Sequence, residues 1–408
     1  MPSSALVNSL PVSVDAPPST RRRVLTLAGL AHALHDGLTD TTYVLLPIWQ
    51  AAFGLGYGAL AMVRGVYAGT MAGLQLPAGR LAERFGVRAV LVVGTLLAAL
   101  GYALAGLAGG VVGLCLALAL SGCGSSTQHP LASGAVSRVY GRQARGPLGV
   151  YNFAGDLGKA ALPALASLAL AHSSWRHALW LGGLLGLLVA AALAFLMPAV
   201  PSAAAPAPAH DPSGVELPQG PSTALGFRLL LAIGVLDTGV RMGVLTFLPF
   251  ILKAEGISAG MLGTALALVF IGGAAGKFLC GALGARLGVV ATVLATETAT
   301  AAAILAVIYL PLVPALCLLP LLGVMLNGTS SVLYGTVPEL APADRTERGF
   351  ALFYTGIIAA GAIAPIGFGL MGDAVGVNIA TIATAGTALA ILPLALALGR
   401  HLPVQRRA

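Results

Sequence analysis

Twelve apolar stretches of about twenty residues, separated by short turns that carry arginine, dominate the chain. They fall at about 24–52, 58–80, 87–108, 111–139, 146–171 and 177–197, then at 225–252, 258–284, 288–310, 314–340, 347–372 and 376–399. A helix needs about 20 apolar residues to cross the hydrocarbon core of a bilayer. The spacing therefore predicts an all-α membrane protein of twelve transmembrane helices. Only 9% of the residues are charged and mean hydropathy is +0.91, against roughly 25% charged in soluble domains. A soluble core has no use for so much apolar sequence. The 54 glycines, many at small-xxx-small spacing, suit helices that approach closely in lipid. The ten-residue alternation of an outer-membrane barrel is absent.

The formal charge of +8 could suggest nucleic acid, but the arginines are parcelled into turns rather than gathered in a stripe. Arg21–Arg23, Arg80/Arg84/Arg88, Arg138/Arg142/Arg145, Arg228, Arg286, Arg345/Arg348 and Arg400/Arg406/Arg407 fall on one side of the predicted membrane. Only Arg176 and Lys253 fall on the other. The positive-inside rule then places both termini in the cytoplasm. Cys115, Cys123, Cys280 and Cys317 form no CxxC, so neither a disulfide frame nor a zinc site is indicated. No compact signal peptide opens the chain.

The expected organisation is a disordered cytoplasmic segment 1–23, a six-helix bundle 24–197, a Pro/Ala-rich cytoplasmic linker 198–224, a second bundle 225–399 and a tail 400–408. The halves repeat each other. LPAGRLAERFG (76–86) matches FLCGALGARLG (278–288), GSSTQHP (124–130) matches TSSVLYG (329–335), and RGPLGVYNFAG (145–155) matches RGFALFYTGII (348–358). HDGLTD (35–40) matches LDTGVR (236–241), setting Asp36 opposite Asp237 and Asp40 opposite Arg241. Two six-helix halves in parallel repeat are the plan of a two-bundle secondary transporter.

GRLAERFG, with Gly79, Glu83, Arg84, Gly86 and Arg88, resembles the loop motif of the major facilitator superfamily; the second copy keeps Gly281, Arg286 and Gly288 but lacks the acid. GCGSSTQHPLAS (122–133) and HALHDG (32–37) are similar to stretches of its fosmidomycin-resistance-type efflux group. The resemblance implies alternating access, efflux, a bacterial-type inner membrane and function as a monomer. In this reading Gly79, Glu83, Arg84, Gly86, Arg88 and Arg286 form a cytoplasmic latch that stabilises the outward-open state. The other reading is that these arginines only fix topology.

Ionisable residues inside apolar spans point to function. His32, Asp36 and Asp40 are spaced i, i+4, i+8 on one helical stripe, with His35 beside it. The functional reading is a proton-coupling site, with Asp36 the strongest candidate; the structural one is a carboxylate held by an arginine. Arg64 and Arg241 can hold an anion or neutralise a carboxylate, and Asp237 with Arg241 can pair at i, i+4. Asn152, Asp156 and Lys159 form a second stripe, with an Asp156–Lys159 pair at i, i+3 as the local alternative. Tyr151, Tyr354, Gln128 and His129 complete the substrate-binding candidates, each with a packing alternative. Pro130 should break its helix. Glu297 and Lys277 stand isolated.

No G-x-x-x-x-G-K-[ST] loop occurs, so transport by this chain is expected to be secondary. No cofactor or metal is expected. The leading expectation is proton-driven export of a small solute, with Arg64, Arg241 and Lys159 compatible with an anion. The runner-up is proton-coupled import of a metabolite. The rival from another class is an intramembrane metal-binding protein or enzyme using His32, His35, Asp36 and His129. Protons, lipid and a small molecule are the expected partners.

Overall fold

A computed structural model describes residues 17–200, 221–341 and 346–402. The first sixteen residues, the linker core 201–220, and Arg345, Arg406 and Arg407 lie outside the described residues.

The described chain is helical throughout. The first group is α1 (Pro18–Phe53), α2 (Tyr57–Gly73), α3 (Gln75–Phe85), α4 (Val87–Ala105), α5 (Val111–Ser125), α6 (Gln128–Tyr140), α7 (Arg145–His172) and α8 (Trp175–Leu196). The second is α9 (Pro221–Ala254), α10 (Ala259–Leu287), α11 (Val289–Tyr309), α12 (Leu312–Leu340), α13 (Thr346–Val375) and α14 (Val377–Gly399). Among the described residues, ten helical segments are long and apolar enough to cross a membrane. Neither α1 nor α2 is among them: α1 carries two histidines and two aspartates mid-length, and α2 has 17 residues. Large apolar side chains on outer faces, such as Phe195, Val112, Leu116 and Tyr309, are exposed, as a lipid-facing surface requires.

Two expected spans are broken. The stretch 58–80 divides at Leu74 into α2 and α3, three residues before Pro77. The stretch 111–139 divides at Ser126–Thr127 into α5 and α6. Pro130 has no N–H to offer the Ser126 carbonyl, which accounts for the second break.

Glycines set the closest approaches. A Cβ on Gly158 of α7 would collide with the Ala33 carbonyl of α1, so those helices touch backbone to backbone. Gly86 and Gly288, at equivalent repeat positions, both have φ of 84° and open the following helix. That left-handed region favours glycine, so these repeated positions carry a backbone requirement.

Helices α1–α8 pack chiefly on one another, as do α9–α14; the two groups meet mainly along α7 against α10 and α2 against α13. At one end the seam is tight. The Asp373 carboxylate accepts from the backbone N–H of Tyr57 at 2.6 Å and of Gly58 at 3.0 Å. Ser167 Oγ accepts from the Gly263 N–H at 2.6 Å, and a side chain on Gly263 would strike the Pro163 carbonyl. Towards the other end, where the turns after Phe85, Tyr140 and Leu287 lie, Gly146, Gly149, Gly281 and Gly335 have open space where a side chain would project.

Candidate functional site

Between the groups lies a cavity of about 280 Å³, lined from α1, α2, α6, α7, α9, α10, α12 and α13. Its charged and imidazole lining is Asp36, Asp40, Arg64, His129, Asp156, Lys159 and Arg241. All seven are positions singled out by the sequence.

Asp36 is the hub. Lys159 Nζ lies 3.2 Å from Oδ2, His32 Nε2 3.3 Å from the same oxygen, and His129 Nε2 3.5 Å from Oδ1. The broken α5–α6 helix and the glycine-rich α1–α7 contact bring these groups together. Gly155 is required here, since a Cβ would sit 2.7 Å from the His32 ring and 3.0 Å from Asp36 Oδ2. His32 Nδ1 lies 2.9 Å from the Tyr151 carbonyl, and the two rings stack at 4.2 Å. A carbonyl only accepts, so Nδ1 carries a hydrogen. Nε2 then faces the Asp36 oxygen that Lys159 also approaches.

The expected local pairs do not form. Asp156 is gripped by Lys277 of α10, at 2.6 Å to Oδ1 and 2.7 Å to Oδ2, rather than by Lys159. Lys159 is drawn to Asp36 instead. Asp237 and Arg241 make no direct ion pair among the described residues. Ser330 joins them: its Oγ donates to Asp237 Oδ2 at 2.8 Å and accepts from Arg241 at 3.3 Å. Arg241 also donates to Asn327 Oδ1 at 3.4 Å.

Arg64 lies over the Tyr43 ring at 4.4 Å and reaches Met242 Sδ at 3.7 Å. Among the described residues, neither Arg64 nor Arg241 has a carboxylate partner, and the Nε of each is buried without a hydrogen bond. One guanidinium comes from each helix group.

Other candidates stand off the cavity. His35 is buried, with Nε2 3.1 Å from Thr95 Oγ1 and Nδ1 2.9 Å from Ser125 Oγ. Thr95 gives its hydrogen to the Leu91 carbonyl, so it accepts from His35, which is held by hydroxyls and faces no substrate space. Gln128 is buried and donates to the Ala28 carbonyl at 3.4 Å. Tyr151 packs behind His32. Asn152 is exposed outside the lining, and so is Tyr354, which touches Tyr334. Asp237 lies behind the wall. Sequence reasoning passed over Tyr334, Asn327 and Met242, all on the lining. Tyr334 stands opposite His129 in the repeat, which was a usable signal.

At the expected latch, Arg88 donates to the Ala194 carbonyl of α8. Among the described residues Glu83, Arg84 and Arg286 make no ion pair, and Gly79 faces open space.

A bundle of membrane-length helices around a charged cavity between two repeated halves defines the class: a multi-pass membrane transporter. The sequence model of the Major Facilitator Superfamily matches residues 28–236, just over half of the chain, and the chain belongs to that family. The fosmidomycin resistance protein of Escherichia coli (strain K12) is 26% identical over 187 residues, 44% of this chain and 46% of that protein. The chain thus matches about half the length of this curated relative. A bacterial homologue of the human lysosomal transporter Spinster, solved inward-facing in occupied and unoccupied forms, has the same fold, with TM-scores of 0.80 and 0.79. Each form is 15% identical, and the match covers 96% of this chain and 100% of the other.

Proposed function

We propose that this protein is a proton-coupled secondary transporter that exports a small anionic solute by alternating access. The observation that carries the reading is the Asp36 cluster: a carboxylate on the cavity wall, shared by Lys159, His32 and His129. Such a group can trade its proton against substrate as the cavity changes sides. Asp40, also on the wall, is the second candidate on the same helix.

The anion follows from charge pairing. Asp36 is engaged by Lys159 and Asp156 by Lys277, which leaves Arg64 and Arg241 against Asp40 on the lining, while Arg241 reaches Asp237 behind the wall only through Ser330. Two guanidiniums without carboxylate partners, one from each group, suit a carboxylate, phosphate or phosphonate bridging the halves. Export is supported by the similarity to a resistance protein.

In this reading all twelve helical segments cross a bacterial inner membrane, as two bundles over 24–197 and 225–399, and the protein works as a monomer. The arginine-bearing turns face the cytoplasm. The tight seam at Asp373 and Gly263 is then extracellular, the open end cytoplasmic, and the unpaired Glu83, Arg84 and Arg286 are a latch released in the inward-facing state.

The test is transport by purified protein in liposomes under an imposed pH gradient, across phosphonates, organic acids, sugars and cationic drugs. The reading expects saturable, gradient-dependent movement of an anionic compound. Movement confined to cations or neutral sugars, or flux that never saturates, contradicts it.

A further inference from the structure

We propose that the Met242 thioether is a stand-in for the substrate, occupying two donors, Arg64 and Tyr43, that an incoming oxyanion takes over. The proposal rests on the anion reading above. It adds Tyr43 to the binding residues and names the group that the anion must displace.

The Tyr43 hydroxyl donates to Met242 Sδ at 3.3 Å, and Arg64 donates to the same sulfur at 3.7 Å. The guanidinium lies over the Tyr43 ring at 4.4 Å, so the two donors stand together and share one acceptor. Both residues are buried, Arg64 5% exposed and Tyr43 0%. A thioether is a weak acceptor, whereas a buried guanidinium ordinarily takes a carboxylate or phosphate. Asp40 shares the cavity wall, yet among the described residues it makes no ion pair with Arg64. Arg64 Nε is buried without any hydrogen bond. A charged donor and a phenol converging on one sulfur are a site supplied with a poorer acceptor than it can hold.

The sulfur comes from the opposite half. Tyr43 and Arg64 belong to α1 and α2, Met242 to α9, where it directly follows Arg241. Met242, Arg64 and Arg241 all line the cavity. An anion that bridges the two guanidiniums therefore competes with Met242 for Arg64. Methionine is unbranched, with three rotatable bonds, so it can swing aside while its helix stays in place. The exchange favours an oxyanion, whose charged oxygens hydrogen-bond more strongly than sulfur does. A neutral solute brings no charge to drive it, and a cation is repelled by the guanidinium. Met242 thus acts in specificity: it keeps both donors occupied in the empty carrier and sets the threshold that a solute must exceed.

The test is calorimetric binding to the purified protein in detergent. The probe is whichever of acetate, inorganic phosphate and methylphosphonate the wild type binds most tightly. Met242→Leu keeps the volume and removes the acceptor, so it should tighten binding about two- to tenfold, the scale of one ordinary hydrogen bond. Met242→Gln offers the donors a stronger oxygen acceptor and should weaken binding. Tyr43→Phe should weaken binding by a similar factor, and most of the gain from Met242→Leu should vanish in an Arg64→Gln background. A packing role for Met242 gives no such opposite signs. Should one Met242 variant fail to fold, the sign of the other still decides. Met242→Leu binding no tighter than wild type, or Met242→Gln binding as tightly, overturns the proposal alone when Arg64→Gln still weakens the probe. A wild type that binds none of the three anions, or an Arg64→Gln variant that binds unchanged, overturns the anion reading and the proposal with it.

Discussion

Lys159 Nζ and Asp36 Oδ2 lie 3.2 Å apart, pairing α7 with α1 at the wall of the central cavity. The pair is more than local neutralisation. Lys159 has left Asp156, three residues away on its own helix, to Lys277 across the seam. One ion pair thus sits within the first helix group and the other bridges the two groups. This division of labour yields the following expectations.

Removing Lys159 leaves Asp36 inside the protein without its fixed cation. Losing one partner of a buried pair costs about 3–5 kcal/mol, and the partial exposure of Lys159 on the cavity reduces that to about 1–3 kcal/mol here. Lys159→Met should therefore lower thermal stability in detergent, and adding Asp36→Asn should recover most of the loss. A double variant no more stable than Lys159→Met would show that the pair does not couple the two residues.

Asp156–Lys277 acts between the groups, so its charge matters more than its chemistry. Asp156→Asn and Lys277→Gln should each lower transport by roughly fivefold, the scale of about 1 kcal/mol for a partly exposed pair. The exchange Asp156→Lys with Lys277→Asp should transport better than Asp156→Lys alone. Equal loss in the exchange and the single variant would mean that the pair does not bridge the groups.

Arg64 and Arg241 are assigned to the anion. Arg64→Gln and Arg241→Gln should each raise the half-saturating concentration of an anionic substrate about ten- to a hundredfold, as for a lost charged hydrogen bond of about 1.5–3 kcal/mol. Arg→Lys should recover only part, because an ammonium lacks the planar fork. Unchanged affinity in both variants would remove the anion assignment.

Gly155 leaves no room for a side chain between α7 and the His32–Asp36 pair. Gly155→Val should destabilise by about 1–3 kcal/mol through overpacking. It should also abolish proton coupling, measured as substrate-driven acidification. Wild-type coupling in that variant would contradict the tight fit described for the pair.

The fold was legible in the sequence because lipid imposes a coarse and repetitive demand: long apolar runs, small residues at contacts, arginine in the turns. The repeat even located Gly86 and Gly288, whose shared backbone angle only glycine meets comfortably. The site was legible as residues but not as partners. Local spacing favoured Asp156 with Lys159 and Asp237 with Arg241, yet each of these acids found its partner on another helix. Lys277 and Glu297 looked isolated for the same reason, since the helices that answer them are distant in sequence. His35 carried the same signal as His32, and only the direction of its ring, towards Thr95 and Ser125, separates a packed histidine from one at the site.

The central claim is that proton and substrate meet at Asp36. The most direct measurement is lumenal pH in liposomes bearing wild-type protein or Asp36→Asn, on addition of a transported anion. The account predicts a substrate-triggered pH change in the wild type that vanishes in Asp36→Asn while substrate still binds. An equal pH change in both would contradict it.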